Sequence, residues 1–226
     1  MEAPAPLESI EHYYTAKVRK YGATPEGVDW ISVMSQRLRF VQLLKVIDWR
    51  SAFSLHDVGC GYGALLAHLA DRHADADIRY IGSDVSGEMI RRARSRWRRR
   101  KNVDFVVAPA STPVSDYCVA SGIFNVKLDH ARDAWERHVA LTLAAMHGGS
   151  RRGFAVNFMT PGALSDRPAA AGGLYVTEPE RWMEHCRSEL GCEAQLVEDY
   201  GLREFTLLVK PSLDQRAEMR ARSASS

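Results

Sequence analysis

The chain reads as an α/β domain, a mainly parallel sheet covered by helices on both faces. Three observations predict it. From about residue 53 onward, short apolar runs alternate with helix-like segments, the pattern of a parallel sheet wrapped by its own crossovers. The first run ends in glycines spaced G-x-G-x-G (Gly59, Gly61, Gly63) before the apolar helix-like stretch Leu65-Leu66-Ala67-His68-Leu69-Ala70. The last two extended runs, 193–200 and 203–210, are separated by Gly201-Leu202. They form a hairpin, which makes one strand antiparallel.

The elements follow in order. An N-terminal helical region covers about 9–48 and is broken around 21–27, where Gly22, Pro25 and Gly27 fall. Its second half places Met34, Leu38, Val41 and Leu44/Ile47 on one face, the spacing of a core-facing helix. Strands are expected near 53–58, 78–83, 103–107, 116–121 and 153–159, and helices over 63–73, 86–99, 129–147 and 178–190. Residues 1–9 and roughly 212–226 read as loose tails. The 17-residue stretch 161–177 reads as a mobile flap, because an unstructured loop of that length in a compact domain is usually functional or disordered.

Bulk properties narrow the class. A chain of 226 residues with 46% hydrophobic and 26% charged residues suits one soluble α/β domain. Neither a membrane-spanning run nor a signal-peptide pattern is evident. The four cysteines form no C-x-x-C pair, so a cytoplasmic, disulfide-free protein is expected. Residues 91–101 (RRARSRWRRRK) carry eight positive charges and no negative one. Such a run is a solvated helix face or a footprint for RNA or an acidic partner. Ile90, Ala93 and Trp97, at i, i+3 and i+7, give that helix an inward stripe, which favours the solvated face.

The chemistry concentrates around the glycines. Bare backbone at the end of a strand allows a ligand to approach closely. The third glycine comes one residue too early for the dinucleotide fingerprint G-x-G-x-x-G, and no Lys-Ser/Thr pair suggests a nucleoside triphosphate. Twenty-one residues after Gly63, the second run ends in Asp84, a carboxylate placed to accept hydrogen bonds from ribose hydroxyls. Here Asp57-Val58-Gly59-Cys60-Gly61-Tyr62-Gly63 and Ile81-Gly82-Ser83-Asp84-Val85-Ser86 resemble the first two motifs of the class I S-adenosylmethionine-dependent methyltransferases. The terminal hairpin fits the same family. The resemblance implies a Rossmann-like seven-stranded sheet of order 3-2-1-4-5-7-6 with the last hairpin antiparallel. It covers roughly 50–210 and divides the chain into a lid region 1–48, a cofactor-binding domain 49–211 and a flexible tail 212–226.

The resemblance also implies a site. Asp57, Gly59, Cys60, Gly61 and Gly63 hold the methionine part of S-adenosylmethionine, Asp84 the ribose, and Val85 and Met89 flank the adenine. The family's acidic residue after the third strand is missing here, so Pro109, Ala110 or Ser111 would have to read the adenine. Ser121 and Gly122 end the fourth strand beside the activated methyl group, with Phe124 and Asn125 toward the acceptor. Asn125 either orients a polar acceptor group or caps the next segment. The aromatic and basic stretch 12–22 is a lid or a domain edge. As a lid it would supply Tyr14 or Tyr21 to the acceptor and His12 as a candidate base, and Trp30, Gln36 and Arg39 would continue it, with Arg39 meeting the cofactor carboxylate. Asn157, Met159 and Thr160 would form a second wall, with Tyr175 in the flap beside it. No metal site is expected. The expected reaction is in-line methyl transfer to an O or N nucleophile of a small molecule. An RNA or protein methyltransferase and a non-catalytic cofactor-binding module remain alternatives. No membrane partner is expected, and the sequence leaves the oligomeric state open.

Overall fold

The computed structural model describes residues 6–30, 32–108, 114–166 and 173–212. Helix α1 (Pro6–Tyr21) and α2 (Val33–Leu43) precede the sheet, with a 3-10 turn at Pro25–Val28 between them. The strands are β1 (Phe53–Val58), β2 (Ile78–Asp84), β3 (Val103–Val107), β4 (Ser115–Ala120), β5 (Ser150–Met159), β6 (Cys192–Val197) and β7 (Glu204–Pro211). Between and after them lie α3 (Ala64–Arg72), α4 (Gly87–Trp97), α5 (Arg132–Gly148), α6 (Gly162–Asp166) and α7 (Pro179–Ser188). The sheet order is β3-β2-β1-β4-β5-β7-β6, with β7 antiparallel to both of its neighbours.

Two apolar layers sandwich the sheet. On one face Phe40, Leu43, Leu65 and Ile90 pack over Leu55, Tyr80 and Phe105. On the other, Trp135, Val139 and Leu143 of α5 and Trp182 of α7 cover Phe154, Phe158 and Phe205. Burial of side chains this large is the main driving term for the fold. Before the terminal β6–β7 hairpin, the alternation of strand and helix is shortest between β3 and β4. β3 ends at Val107 and β4 begins at Ser115, too short a span for a covering helix. Ile10 of α1 joins the core on that side, packed with Val58, Cys118 and Val139.

Several expectations require correction. The chain is already helical at Pro6, within the presumed N-terminal tail. The flap is partly ordered, since α6 occupies its start and Leu174 and Val176 bridge to Val126 and Met159; residues 167–172 lie outside the described residues. The predicted inward face of α2 is rotated. Met34 and Val41 are exposed, at 74% and 45%, whereas Gln36, Arg39, Phe40 and Leu43 are buried. The inward stripe of α2 is half polar because it faces cavities as well as core. All four cysteines are buried, and no disulfide joins any of them. No helix among the described residues is long and apolar enough to cross a membrane.

Candidate functional site

The site lies at the carboxyl ends of the parallel strands. The register aligns Val58 of β1 with Ser83 of β2, which sets the glycine turn beside Asp84. The Gly61 N–H donates to Asp84 Oδ2 (2.9 Å) and the Cys60 N–H to the Ser83 carbonyl (2.9 Å). The Ser86 N–H takes the other carboxylate oxygen of Asp84 (2.8 Å). Gly59, Gly61 and Gly63 all have positive φ. At Gly63 (φ +80°) a Cβ would sit 2.6 Å from Trp97 Nε1, and that indole N–H donates to the Gly63 carbonyl (3.2 Å).

A cavity of about 280 Å³ opens above this turn. Asp57, Gly59, Cys60, Gly61, Asp84, Val85, Met89, Ser121 and Gly122 line it, and Tyr14 of α1 forms part of its roof. Asp57 is 3% exposed and accepts the Tyr80 hydroxyl (2.5 Å). Burial raises Asp57 to about 7 even though that hydrogen bond favours the anion. Asp84, at the cavity wall, is raised to about 6 by burial against the opposing pull of the Ser86 and Gly61 amides.

A second cavity of about 530 Å³ adjoins the first, sharing Tyr14, Val28, Trp30 and Gly122 with it. Tyr13, Lys17, Asp29, Arg39, Asn125, Val126, Leu128, Asp129, Met159, Gly173, Leu174 and Glu204 complete its lining. Gly122 has φ +70°, and a Cβ there would meet the Trp30 ring at 2.4 Å. Glycine therefore lets the indole lie directly on the turn after β4. Arg39 stacks on that indole: its guanidinium carbon is 3.9 Å from the Trp30 ring centroid. It is also paired with Glu204 through Nε (2.6 Å) and Nη2.

The roof is tied down. Asp29, itself at φ +59°, accepts the Tyr13 hydroxyl (2.5 Å) and Lys17 Nζ (2.6 Å), binding α1 to the turn before α2. Thr15 Oγ1 lies 2.6 Å from Ser86 Oγ, the cap of α4. Burial raises Tyr13 to about 12 and pushes Tyr14 up as well, so both phenols are neutral at physiological pH.

The structure places the remaining expected site residues differently from the sequence reading. His12 is exposed, with Nδ1 2.9 Å from the Glu8 carbonyl, and lines neither cavity. Tyr21 is 40% exposed under Lys17 and Lys20. Phe124 and Tyr175 are core residues: Phe124 stacks on Phe158, and the Tyr175 hydroxyl donates to Glu136 while accepting the Trp182 indole. Asn157 is fully buried behind the wall, where its Oδ1 accepts the Gly122 N–H (2.8 Å) and its Nδ2 donates to Glu204 (2.7 Å). Arg39, expected on the cofactor carboxylate, is committed to Glu204 and borders the second cavity. Gly63 serves the helix cap and Trp97 and is absent from the cavity lining. Pro109, Ala110 and Ser111 lie outside the described residues.

Three contributors escaped the sequence reading. Asp29 and Glu204 organise the roof and wall but carry no motif. His138 lines the outer part of the first cavity, with burial lowering its pKa; its place in an ordinary helical stretch gave no signal. Among the described residues no cluster of His, Cys, Asp and Glu could hold a metal ion.

The first cavity suits a nucleoside carrying an amino-acid tail. Asp84 has carboxylate lone pairs to spare at its wall, Ser121 Oγ is buried there without a partner, and Val85, Met89 and Ala108 give apolar walls. Fold and site together define a Rossmann-like S-adenosylmethionine-dependent methyltransferase. Comparison with known proteins agrees. Residues 56–146 match the methyltransferase domain family model. The chain is 40% identical over 167 residues to Rv1506c of Mycobacterium tuberculosis (strain ATCC 25618 / H37Rv), itself provisionally named a methyltransferase; the match spans 74% of this chain and 98% of that one. The fold is similar to magnesium protoporphyrin IX methyltransferase (ChlM) of Synechocystis PCC 6803 with bound SAH, at TM-score 0.64 and 14% identity, over 92% of this chain and 100% of that one. It is also similar to the N-methyltransferase NodS of Bradyrhizobium japonicum WM9, at TM-score 0.55 and 14% identity, over 80% and 99%. The chain belongs to the S-adenosylmethionine-dependent methyltransferase family.

Proposed function

We propose that this protein methylates an O or N nucleophile of a small molecule, with the cofactor in the first cavity and the acceptor in the second. The observation carrying this reading is the junction of the two cavities at Gly122, Trp30 and Tyr14, at the end of β4. S-adenosylmethionine, when bound, supplies a methyl group activated by a sulfonium sulfur. The protein's residues hold and orient. Asp84 accepts the ribose hydroxyls, the Gly59–Gly61 backbone and Asp57 take the amino-acid tail, and Val85 and Met89 flank the adenine. Tyr14 and Trp30 keep water from the junction. Such positioning lowers a displacement barrier by several kcal/mol without a strong base, in keeping with neutral Tyr13 and Tyr14.

The size of the second cavity supports a small acceptor, since small-molecule sites typically span about 300–1,000 Å³. The basic helix gives the RNA reading little support. Arg91 and Arg92 pair with Glu88, Arg94 donates to the Phe105 carbonyl, and Arg96 lies over Tyr62 and Trp97. Incubating the protein with methyl-labelled S-adenosylmethionine and a cell extract, followed by size fractionation, tests the proposal. Label is expected in the low-mass fraction. Label confined to RNA or protein would overturn it.

A further inference from the structure

We infer that the second cavity recognises its acceptor through a hydroxyl group held between Arg39 and Asn125, on an otherwise apolar body. This rests on the acceptor assignment proposed above. Both side chains border the cavity and are nine-tenths buried or more, at 5% and 8% exposure. Each has one polar atom with no partner in the protein, Arg39 Nη1 and Asn125 Oδ1. The other guanidinium nitrogens of Arg39 are spent on Glu204. Gly122 gathers the two residues: a Cβ there would meet both the Trp30 ring, on which Arg39 stacks, and Asn125 Nδ2 at 3.4 Å.

A buried donor or acceptor without a partner is costly, so a ligand that satisfies both is selected over one that satisfies neither. Arg39 Nη1 needs a lone pair and Asn125 Oδ1 needs a proton. An alkyl- or arylammonium offers protons but no lone pair. A carboxylate offers lone pairs but no proton, and it must enter beside Glu204, which already balances the Arg39 charge. A hydroxyl offers both. Trp30, Val126, Leu128, Met159 and Leu174 give apolar surface that suits a ring or short hydrocarbon skeleton, while Lys17 and Asp29, paired with each other, and Asp129 also border the cavity.

Isothermal titration of the full chain, saturated with S-adenosylhomocysteine, would test this with four matched probes: 2-naphthol, naphthalene, 2-(aminomethyl)naphthalene, which is an ammonium at neutral pH, and 2-naphthoate. The naphthol should bind about tenfold or more tighter than each of the others, the preference expected for a buried polar pair. Asn125→Leu should erase the naphthol-over-naphthalene preference. Arg39→Lys, which retains the charge facing Glu204 but lacks Nη1, should weaken naphthol while sparing naphthalene. Equal binding of naphthol and naphthalene, tighter binding of the naphthoate, or no binding of any probe by a protein that still binds the nucleoside would overturn the inference. Failure to bind S-adenosylhomocysteine would instead remove the cofactor assignment beneath it.

Discussion

Arg39 and Glu204 stand 165 positions apart in the chain and form a two-point ion pair inside the protein. Their side chains are only 6% and 4% exposed. Glu204 also accepts Asn157 Nδ2, and Asn157 Oδ1 accepts the Gly122 amide. One polar network therefore runs from α2 through β7 and β5 to the turn where the two cavities meet. It explains why Arg39 occupies the inward face of α2.

Glu204→Gln tests that network. Removing one charge from a buried pair leaves the other uncompensated, typically at a cost of about 3–5 kcal/mol. Urea denaturation should show a midpoint lowered accordingly with an unchanged slope. A variant as stable as the parent would mean the pair contributes nothing to folding. Nucleoside affinity in the surviving folded fraction should also fall, because Gly122 loses its anchor through Asn157.

Gly63→Ala should separate folding from binding. Alanine at φ +80° sits in the left-handed region, which costs about 1–2 kcal/mol, and its Cβ would press on Trp97. The expected result is a lower melting temperature with S-adenosylhomocysteine affinity nearly unchanged under folding conditions. Gly122→Ala, at φ +70°, carries a similar backbone cost but should also weaken nucleoside binding, since its Cβ would displace the Trp30 roof. Similar affinity losses in both variants would contradict this division of labour among the glycines.

The difference between those glycines was not legible in the sequence. The strand–turn–helix pattern, the glycine spacing and the terminal hairpin led to the observed strand order because they are local signals read through hydrophobic periodicity. Asp84 was legible for the same reason, as a carboxylate at a strand end. The acceptor side was not. Phe124, Asn157 and Tyr175 sit at the expected chain positions, yet period-2 alternation and helix packing turn them into the core. Asp29 and Glu204 act through partners distant in sequence, and no local pattern reports such pairings. The face of α2 was misassigned because its apolar residues were assumed to point inward, whereas its polar ones line a cavity.

Acidity should tune cofactor binding. Asp57 titrates near 7 and Asp84 near 6, both raised by burial above the usual 3.8. A carboxylate raised in the folded state binds more protons there than when unfolded. Its contribution to stability therefore falls as pH rises from about 4 to about 7, and the ligand-free protein should be more stable toward the acidic side of that window. A cationic amine beside Asp57 reverses the preference by favouring the anion. S-adenosylhomocysteine affinity should rise from pH 5.5 to 8, by no more than about tenfold per pH unit for a single coupled group, with protons released on binding. Titrations in two buffers of different ionisation enthalpy would detect that release. Asp57→Asn should flatten the profile, while Asp84→Ala should weaken binding by about 1–3 kcal/mol. Affinity that falls with pH, or no proton release, would refute the coupling.

The N-terminal helix should behave as a closing roof. Its hold on the domain combines a few polar ties, Tyr13 and Lys17 on Asp29 and Thr15 on Ser86, with two buried apolar anchors, Ile10 and Val18. Ser86 caps α4 and follows Asp84 by two residues, so the roof is anchored next to the proposed ribose contact. Polar ties of this kind open locally at far lower cost than the core does, as a site admitting two ligands and releasing two products requires. Because Ile10 and Val18 are buried, deleting residues 1–22 would strip core along with roof. Asp29→Ala is the cleaner variant because it removes two ties and leaves both apolar anchors. Hydrogen exchange across α1 should slow when S-adenosylhomocysteine binds and should be faster in Asp29→Ala in either state. Turnover should fall severalfold while the melting temperature moves by only a few degrees, since a shift of that size corresponds to about 1 kcal/mol in a domain this large. Equal protection of α1 with and without the nucleoside, together with full turnover in Asp29→Ala, would reduce the helix to a fixed cover over the edge of the sheet.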